Sequence, residues 1–162
     1  MTIAAGDALP NVTVTQVTAD GPKPVETKTY FAGRTVVLFG LPGAFTPTCH
    51  KNHLPGFLAN EDKFKEKGVD AIAMTSVNDP FVLSAWAGAT GAAGHIDFLA
   101  DGSAMLAKAL GLDLDLTARG MGIRSHRYSM LVKDGVVQEI NVEPNPGEAD
   151  LSGAEHLLGQ IK

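Results

Sequence analysis

Cysteine is close to absent from this chain: among 162 residues there is one, Cys49. A single cysteine closes no intramolecular disulfide and builds no structural zinc cluster, so packing must hold the fold together. Cys49 is then either a small buried hydrophobe or a working thiol. Basic residues are too few and scattered for a nucleic-acid surface: 13 Lys and Arg stand against 18 Asp and Glu, a formal charge of −5. Long apolar runs are missing too. None approaches the roughly 18 residues of a membrane span, and the first ten residues carry no Lys, no Arg and no signal-peptide core. The expectation is a cytoplasmic protein that binds neither membrane nor nucleic acid. What remains is an ordinary globular composition, 44% hydrophobic and 19% charged, enough for one domain over residues 1–162.

Hydrophobic periodicity lays out the elements. Residues 12–17 alternate as a strand, meet the turn signal Asp20-Gly21-Pro22 and lead to a second strand at 25–31, so an N-terminal hairpin is expected. Residues 35–39 are a short, β-branched apolar run suited to a strand covered on both faces, in the sheet centre. After a loop at 40–45 the pattern becomes helical, with Leu54, Phe57, Leu58 and Phe64 on one face and Gly68 as the stop. Pro55 lies inside that helix and predicts a kink or break at 52–55. Residues 69–77 read as a strand, Asp79 as an N-cap with Pro80 at the first helical position, and Val82, Ala85, Trp86 and Ala89 as an apolar helix face. A strand at 96–99 and a helix at 103–110 follow. A hairpin then pairs 128–132 with Val136–Val142, and Ala154, Leu157, Leu158 and Ile161 mark a closing helix. This order predicts an α/β fold: a single thioredoxin-like domain, a mixed central sheet flanked by helices, and the hairpin as an N-terminal extension. The Gly-rich residues 88–94 match neither a P-loop nor a dinucleotide fingerprint and read as a loop, so no cofactor is expected.

The segment Pro42-Gly43-Ala44-Phe45-Thr46-Pro47-Thr48-Cys49 joins the central strand to a helix, at the sheet edge where open α/β folds place their ligand sites. With Thr46 as N-cap and Pro47 at N1, Cys49 falls at N3. Free N–H groups and the positive end of the helix dipole favour a thiolate there. Cys49 and His53, four apart on a helix, could share a metal, but no further ligands stand nearby. His53 reads instead as a hydrogen-bonding pocket wall and His50 as solvated.

The string PGAFTPTC carries the pattern Pro-x-x-x-Thr-x-x-Cys at Pro42, Thr46 and Cys49. With HKNHLPGF directly after it, SVNDPF at 76–81 and RYSMLVKDGVV from Arg127, it resembles the peroxiredoxins over nearly the whole chain, and in particular their type II, or type 5, subfamily. The resemblance implies a thiol-dependent peroxidase that acts on hydrogen peroxide and alkyl hydroperoxides. The Cys49 thiolate attacks the distal oxygen, water or alcohol leaves, and a sulfenic acid remains. It also implies that Pro42 shields the pocket, that Thr46 hydrogen-bonds thiolate and peroxide, and that Arg127 stabilises both. Several subfamily members carry a second, resolving Cys that is missing here. The chain is therefore read as a one-Cys enzyme recycled by an external thiol, glutathione with glutaredoxin or thioredoxin. No glutaredoxin domain follows Lys162, so that donor is expected to be a separate molecule. A homodimer is implied as well, with Met121 and Ile123 near the Gly-rich stretch 120–122 as candidate contact surface.

An activated thiol would not be sufficient for such chemistry. Lowering a thiol pKa from about 8.5 to about 6 raises the thiolate fraction at pH 7 roughly 30-fold, but a Brønsted slope of about 0.45 costs roughly 13-fold in nucleophilicity, a net gain of about twofold. Most of the acceleration must come from donors that align the peroxide and stabilise charge on the departing oxygen: Arg127, the Thr46 hydroxyl and nearby backbone N–H groups. Arg124 and Arg127 are three apart, which in one regular strand puts them on opposite faces. Arg127 is assigned to the site and Arg124 to its rim or to a dimer contact. Two other readings compete: a non-enzymatic peroxide sensor signalling through Cys49 oxidation, and a thioredoxin-like binding module with an inert cysteine.

Overall fold

In the computed structural model, which describes all 162 residues, the N-terminal alternation forms β1 (Thr13–Thr18) and β2 (Gly21–Glu26), paired as an antiparallel hairpin. The second strand does not continue to residue 31 as expected, because Thr27–Phe31 is a short helix, α1. Thr27, Tyr30 and Phe31 are all buried, which is the i, i+3, i+4 spacing of one helical face, whereas a strand would send Tyr30 and Phe31 to opposite sides. The Thr27 hydroxyl holds this turn by donating to the Pro10 carbonyl at 2.8 Å and accepting the Val12 N–H at 3.0 Å.

Strand β3 (Thr35–Gly40) is covered on both faces: Val37 and Phe39 join one core cluster, Val36 and Leu38 the other. The long helical pattern after Cys49 breaks into α2 (Leu54–Ala59) and α3 (Glu61–Glu66), with Gly68 in a left-handed conformation beyond them. Strand β4 (Ala71–Ser76) leads to α4 (Pro80–Thr90), where the Asp79 carboxylate accepts the N–H groups of Phe81 and Val82 at 2.8 and 2.9 Å, as its N-cap position requires. The buried face of α4 is Leu83, Trp86 and Ala87, rotated from the expected Val82, Ala85, Trp86, Ala89 stripe. The alanine-rich helix carries too little apolar contrast to fix its own rotation, and Trp86 alone is shared. Next come β5 (Asp97–Ala100), α5 (Met105–Leu110), and a hairpin that periodicity did not reveal, β6 (Asp113–Leu116) with β7 (Gly122–Ser125). The chain ends with β8 (Tyr128–Lys133), β9 (Val136–Val142) and α6 (Ala154–Gln160).

Seven strands form one mixed sheet in the order β2-β1-β5-β4-β3-β8-β9, while β6 and β7 stand apart as a two-stranded ribbon. Helices α2, α3, α4 and α6 supply side chains to one core cluster and α1 and α5 to the other, so the sheet is sandwiched. The central β3 is parallel to β4 and antiparallel to β8. The carboxyl end of β3 and the amino end of β8 therefore lie at the same sheet edge. Gly40 pairs with Tyr128 there, which sets the loop after β3 beside the residues just before Tyr128.

That pairing leaves no room at Gly40. A Cβ on it would fall inside the ring of Tyr128, itself 1% exposed and unable to swing away. Gly40→Ala should cost about 1–3 kcal/mol by overpacking. Urea denaturation would show it as a lower midpoint with an unchanged slope, and a midpoint equal to wild type would contradict this reading of the edge.

Candidate active site

Phe45 adopts a left-handed backbone (φ 63°), uncommon for a non-glycine residue, and so turns the chain from β3 into a new helix. The Thr46 carbonyl accepts the first helical bond, from the His50 N–H at 2.9 Å, and Pro47 opens the helix, as its fixed φ suits. Cys49 stands at the third helical position. The Thr46 hydroxyl does not act as the expected cap: it donates to the Gly43 carbonyl at 2.6 Å, which leaves its lone pairs to accept. From Cys49 to His53 the helix widens to a π turn in which the Leu54 N–H reaches back to the Cys49 carbonyl. Pro55 explains the irregularity foreseen here, since its ring nitrogen cannot donate and its ring crowds the preceding turn.

The Cys49 sulfur has no exposed surface and receives a hydrogen bond from Arg127 Nη2 at 3.0 Å. Arg127 is itself 2% exposed, and each nitrogen of its guanidinium makes at least one hydrogen bond. Nε and Nη2 both donate to the Pro146 carbonyl at 3.1 Å, and Nη1 donates to His53 Nδ1 at 3.0 Å. His53 Nε2 lies 3.0 Å from the Ser152 carbonyl, which can only accept. The imidazole is therefore the neutral tautomer with its proton on Nε2 and its Nδ1 lone pair turned to Arg127. Burial, reinforced by the guanidinium charge, holds the His53 pKa down to about 3. Of the five guanidinium N–H groups, four are matched to protein acceptors and one on Nη1 is not.

A cavity of about 350 Å³ adjoins this cluster, lined by Pro42, Thr46, Pro146 and Arg127, with Leu116 and Arg119 from the β6–β7 ribbon at its outer wall. Pro42, Thr46, Cys49 and Arg127, the four residues singled out in the sequence, thus meet at one place. Asn78, within the SVNDPF segment, braces the loop by accepting the Ala44 N–H at 3.0 Å and the Ser76 hydroxyl at 2.8 Å. His50 is not solvated as expected. It is half-buried, accepts the Trp86 indole N–H at 2.9 Å and stacks on Phe45.

The opposite-face argument for the two arginines does not hold, because they do not share a strand. Arg124 ends its reach from β7 in the small ribbon, whereas Arg127 immediately precedes β8 in the large sheet. Arg124 donates to the Pro42 carbonyl at 3.3 Å and to Met121 at 2.9 Å, so it grips the rim of the cavity. The carbonyls of Pro146 and Ser152 had no signal in the sequence, since backbone acceptors carry no residue signature.

Comparison with known proteins shows the family to which the chain belongs. Residues 4–158 match the family model described as Redoxin. The chain is 46% identical over 157 residues to peroxiredoxin-2C of Oryza sativa subsp. japonica, with 96% of each protein covered. Reduced Prx3 in complex with H2O2 from Vibrio vulnificus superposes with a TM-score of 0.94 at 47% identity, over 99% of this chain and 100% of that one. A Burkholderia cenocepacia structure described as a thioredoxin reductase gives 0.96 at 42% identity, over 100% and 99%. That description does not suit a chain with one cysteine, which cannot form a dithiol couple of its own. By its family model, its relatives and its fold, this chain belongs to the peroxiredoxins, the thiol-dependent peroxidases.

Proposed function

We propose that Cys49 is the residue that reduces hydroperoxides in this enzyme, and that Arg127, Thr46 and Pro42 make the pocket in which it does so. The observation that carries the reading is the buried Arg127 donating to Sγ at 3.0 Å, with one Nη1 N–H unmatched. A thiolate at Cys49 attacks the distal oxygen of the peroxide: the S–O bond forms as the O–O bond breaks, and the departing oxygen takes a proton to leave as water or alcohol. The unmatched guanidinium N–H stabilises that oxygen as its charge grows. Thr46, its own proton committed to Gly43, accepts the O–H of the incoming peroxide and so orients it. Pro42, buried at the cavity wall, offers no N–H and keeps water off the sulfur.

The sulfenic acid left on Cys49 finds no partner cysteine in the chain, which supports recycling by a separate thiol. One external thiol condenses with it to a mixed disulfide and water, and a second releases Cys49 as the thiol. Glutathione with glutaredoxin, or thioredoxin, is the proposed donor. A thiol-rich reducing compartment such as the cytoplasm is the setting that suits it. A homodimer is part of the proposal, with the half-buried Met121 and Ile123 as candidate contact residues.

Peroxide consumption under excess thiol should continue over many turnovers and disappear in Cys49→Ser. Mass spectrometry of peroxide-treated protein should find added oxygen on Cys49, or a glutathione adduct when glutathione is present. A single stoichiometric turnover in the presence of each thiol would favour the sensor reading instead.

His53 makes a second expectation. Its folded pKa of about 3 lies below the unfolded value near 6.5, so between these values the unfolded chain binds the extra proton. The resulting stability is complete above about pH 6.5 and is lost as pH falls toward 3, by a few kcal/mol at most. Urea midpoints measured from pH 7 to pH 4 should fall less steeply for His53→Gln than for wild type. Parallel slopes would show that His53 is not buried neutral.

A further inference from the structure

Arg127 and His53 are oriented by two backbone carbonyls, those of Pro146 and Ser152, and both belong to the connection between β9 and α6. A carbonyl can fix a guanidinium only if its own segment is fixed. This connection contains few backbone hydrogen bonds of its own, among them Glu148 N–H to Asn145 at 3.0 Å and Gly153 N–H to Asp150 at 3.4 Å. Its first anchor is Glu143, whose N–H donates to the Arg127 carbonyl at 2.9 Å.

The Glu143 side chain is the unusual part. It is 2% exposed and has no Lys, Arg or His within ion-pair distance, an expensive state for a carboxylate. Its Oε1 turns inward and accepts the Ser152 N–H at 2.9 Å and the Ser152 hydroxyl at 3.3 Å. Ser152, with no exposed surface, is the residue whose carbonyl receives the His53 proton. The contacts therefore run without a gap from Glu143 to Ser152, to His53, to Arg127 and to Cys49 Sγ.

We propose that Glu143 is a positioning residue for Arg127: by pinning Ser152 it fixes the carbonyl that sets the His53 tautomer, and His53 in turn aims the guanidinium at Cys49. The inference rests on Arg127 serving Cys49, as set out above. Glu143 touches neither sulfur nor peroxide, so its effect must pass through Arg127. Removing it should cost catalysis only while the planar guanidinium is there to be aimed.

The test is a mutant cycle on the second-order rate of Cys49 oxidation by hydrogen peroxide. Glu143→Ala should lower that rate roughly 10- to 100-fold, since small displacements of a positioned donor are costly. Glu143→Gln keeps an acceptor oxygen for Ser152 and should restore it to within about threefold of wild type. In an Arg127→Lys background, itself slow, Glu143→Ala should cause no further fall. Should Glu143→Ala fail to fold, Glu143→Asp, one methylene short of Ser152, takes its place in the same cycle. Equal fractional losses in both backgrounds, no loss on the Arg127 background, or no rescue by Gln would each overturn the proposal. An Arg127→Lys enzyme as fast as wild type would overturn both it and the role given to Arg127.

Discussion

Burying a guanidinium is the constraint around which this site is organised. Arg127 gives up nearly all of its contact with water, and a charge in that position is tolerable only when its N–H groups find acceptors and an anion lies close by. The surrounding structure meets that demand donor by donor: a loop carbonyl takes two N–H groups, a neutral histidine takes a third, and the sulfur takes a fourth. The same arrangement that makes the cation bearable brings one of its N–H groups onto the Cys49 sulfur at 3.0 Å.

Sheet topology delivers the two partners to each other. Because β3 and β8 run antiparallel with Gly40 opposite Tyr128, the chain leaving β3 toward Cys49 and the chain arriving at β8 through Arg127 occupy one edge. Glycine at position 40 is what lets the Tyr128 ring lie across the strand and keep that register. The strained turn at Phe45 and the π turn at Cys49–His53 then rotate the sulfur and His53 toward the same buried point.

Much of this was legible in the sequence where the governing physics is local. Pro47 marks a helix start, Pro55 distorts the turn before it, Asp79 caps a helix, and the β-branched run at β3 makes a two-sided buried strand. Arg127 was found through the resemblance of its segment rather than through periodicity. What stayed hidden depends on contacts distant in sequence: Cys49 and Arg127 are 78 residues apart, His53 and Ser152 are 99 apart. The opposite-face argument for Arg124 and Arg127 failed for the same reason, although Arg124 does lie at the rim: counting residues along a strand assumes one strand, and between Ser125 and Tyr128 the chain passes from the small ribbon into the main sheet. The Thr46 hydroxyl looked like a helix cap because its position allows one, but a nearby carbonyl at Gly43 competed successfully for its proton.

In the proposed mechanism the Arg127 guanidinium at Cys49, rather than a general excess of positive charge at the cavity rim, drives peroxide cleavage. Trp86 is the only tryptophan and is hydrogen-bonded to His50, next to Cys49, so its fluorescence can follow a single oxidation in stopped flow. Arg127→Ala and Arg124→Ala remove the same charge from the same neighbourhood. Arg127→Ala should slow oxidation by hydrogen peroxide roughly 10²- to 10³-fold, while Arg124→Ala should stay within about tenfold of wild type. A larger loss in Arg124→Ala, or similar losses in the two, would contradict that mechanism.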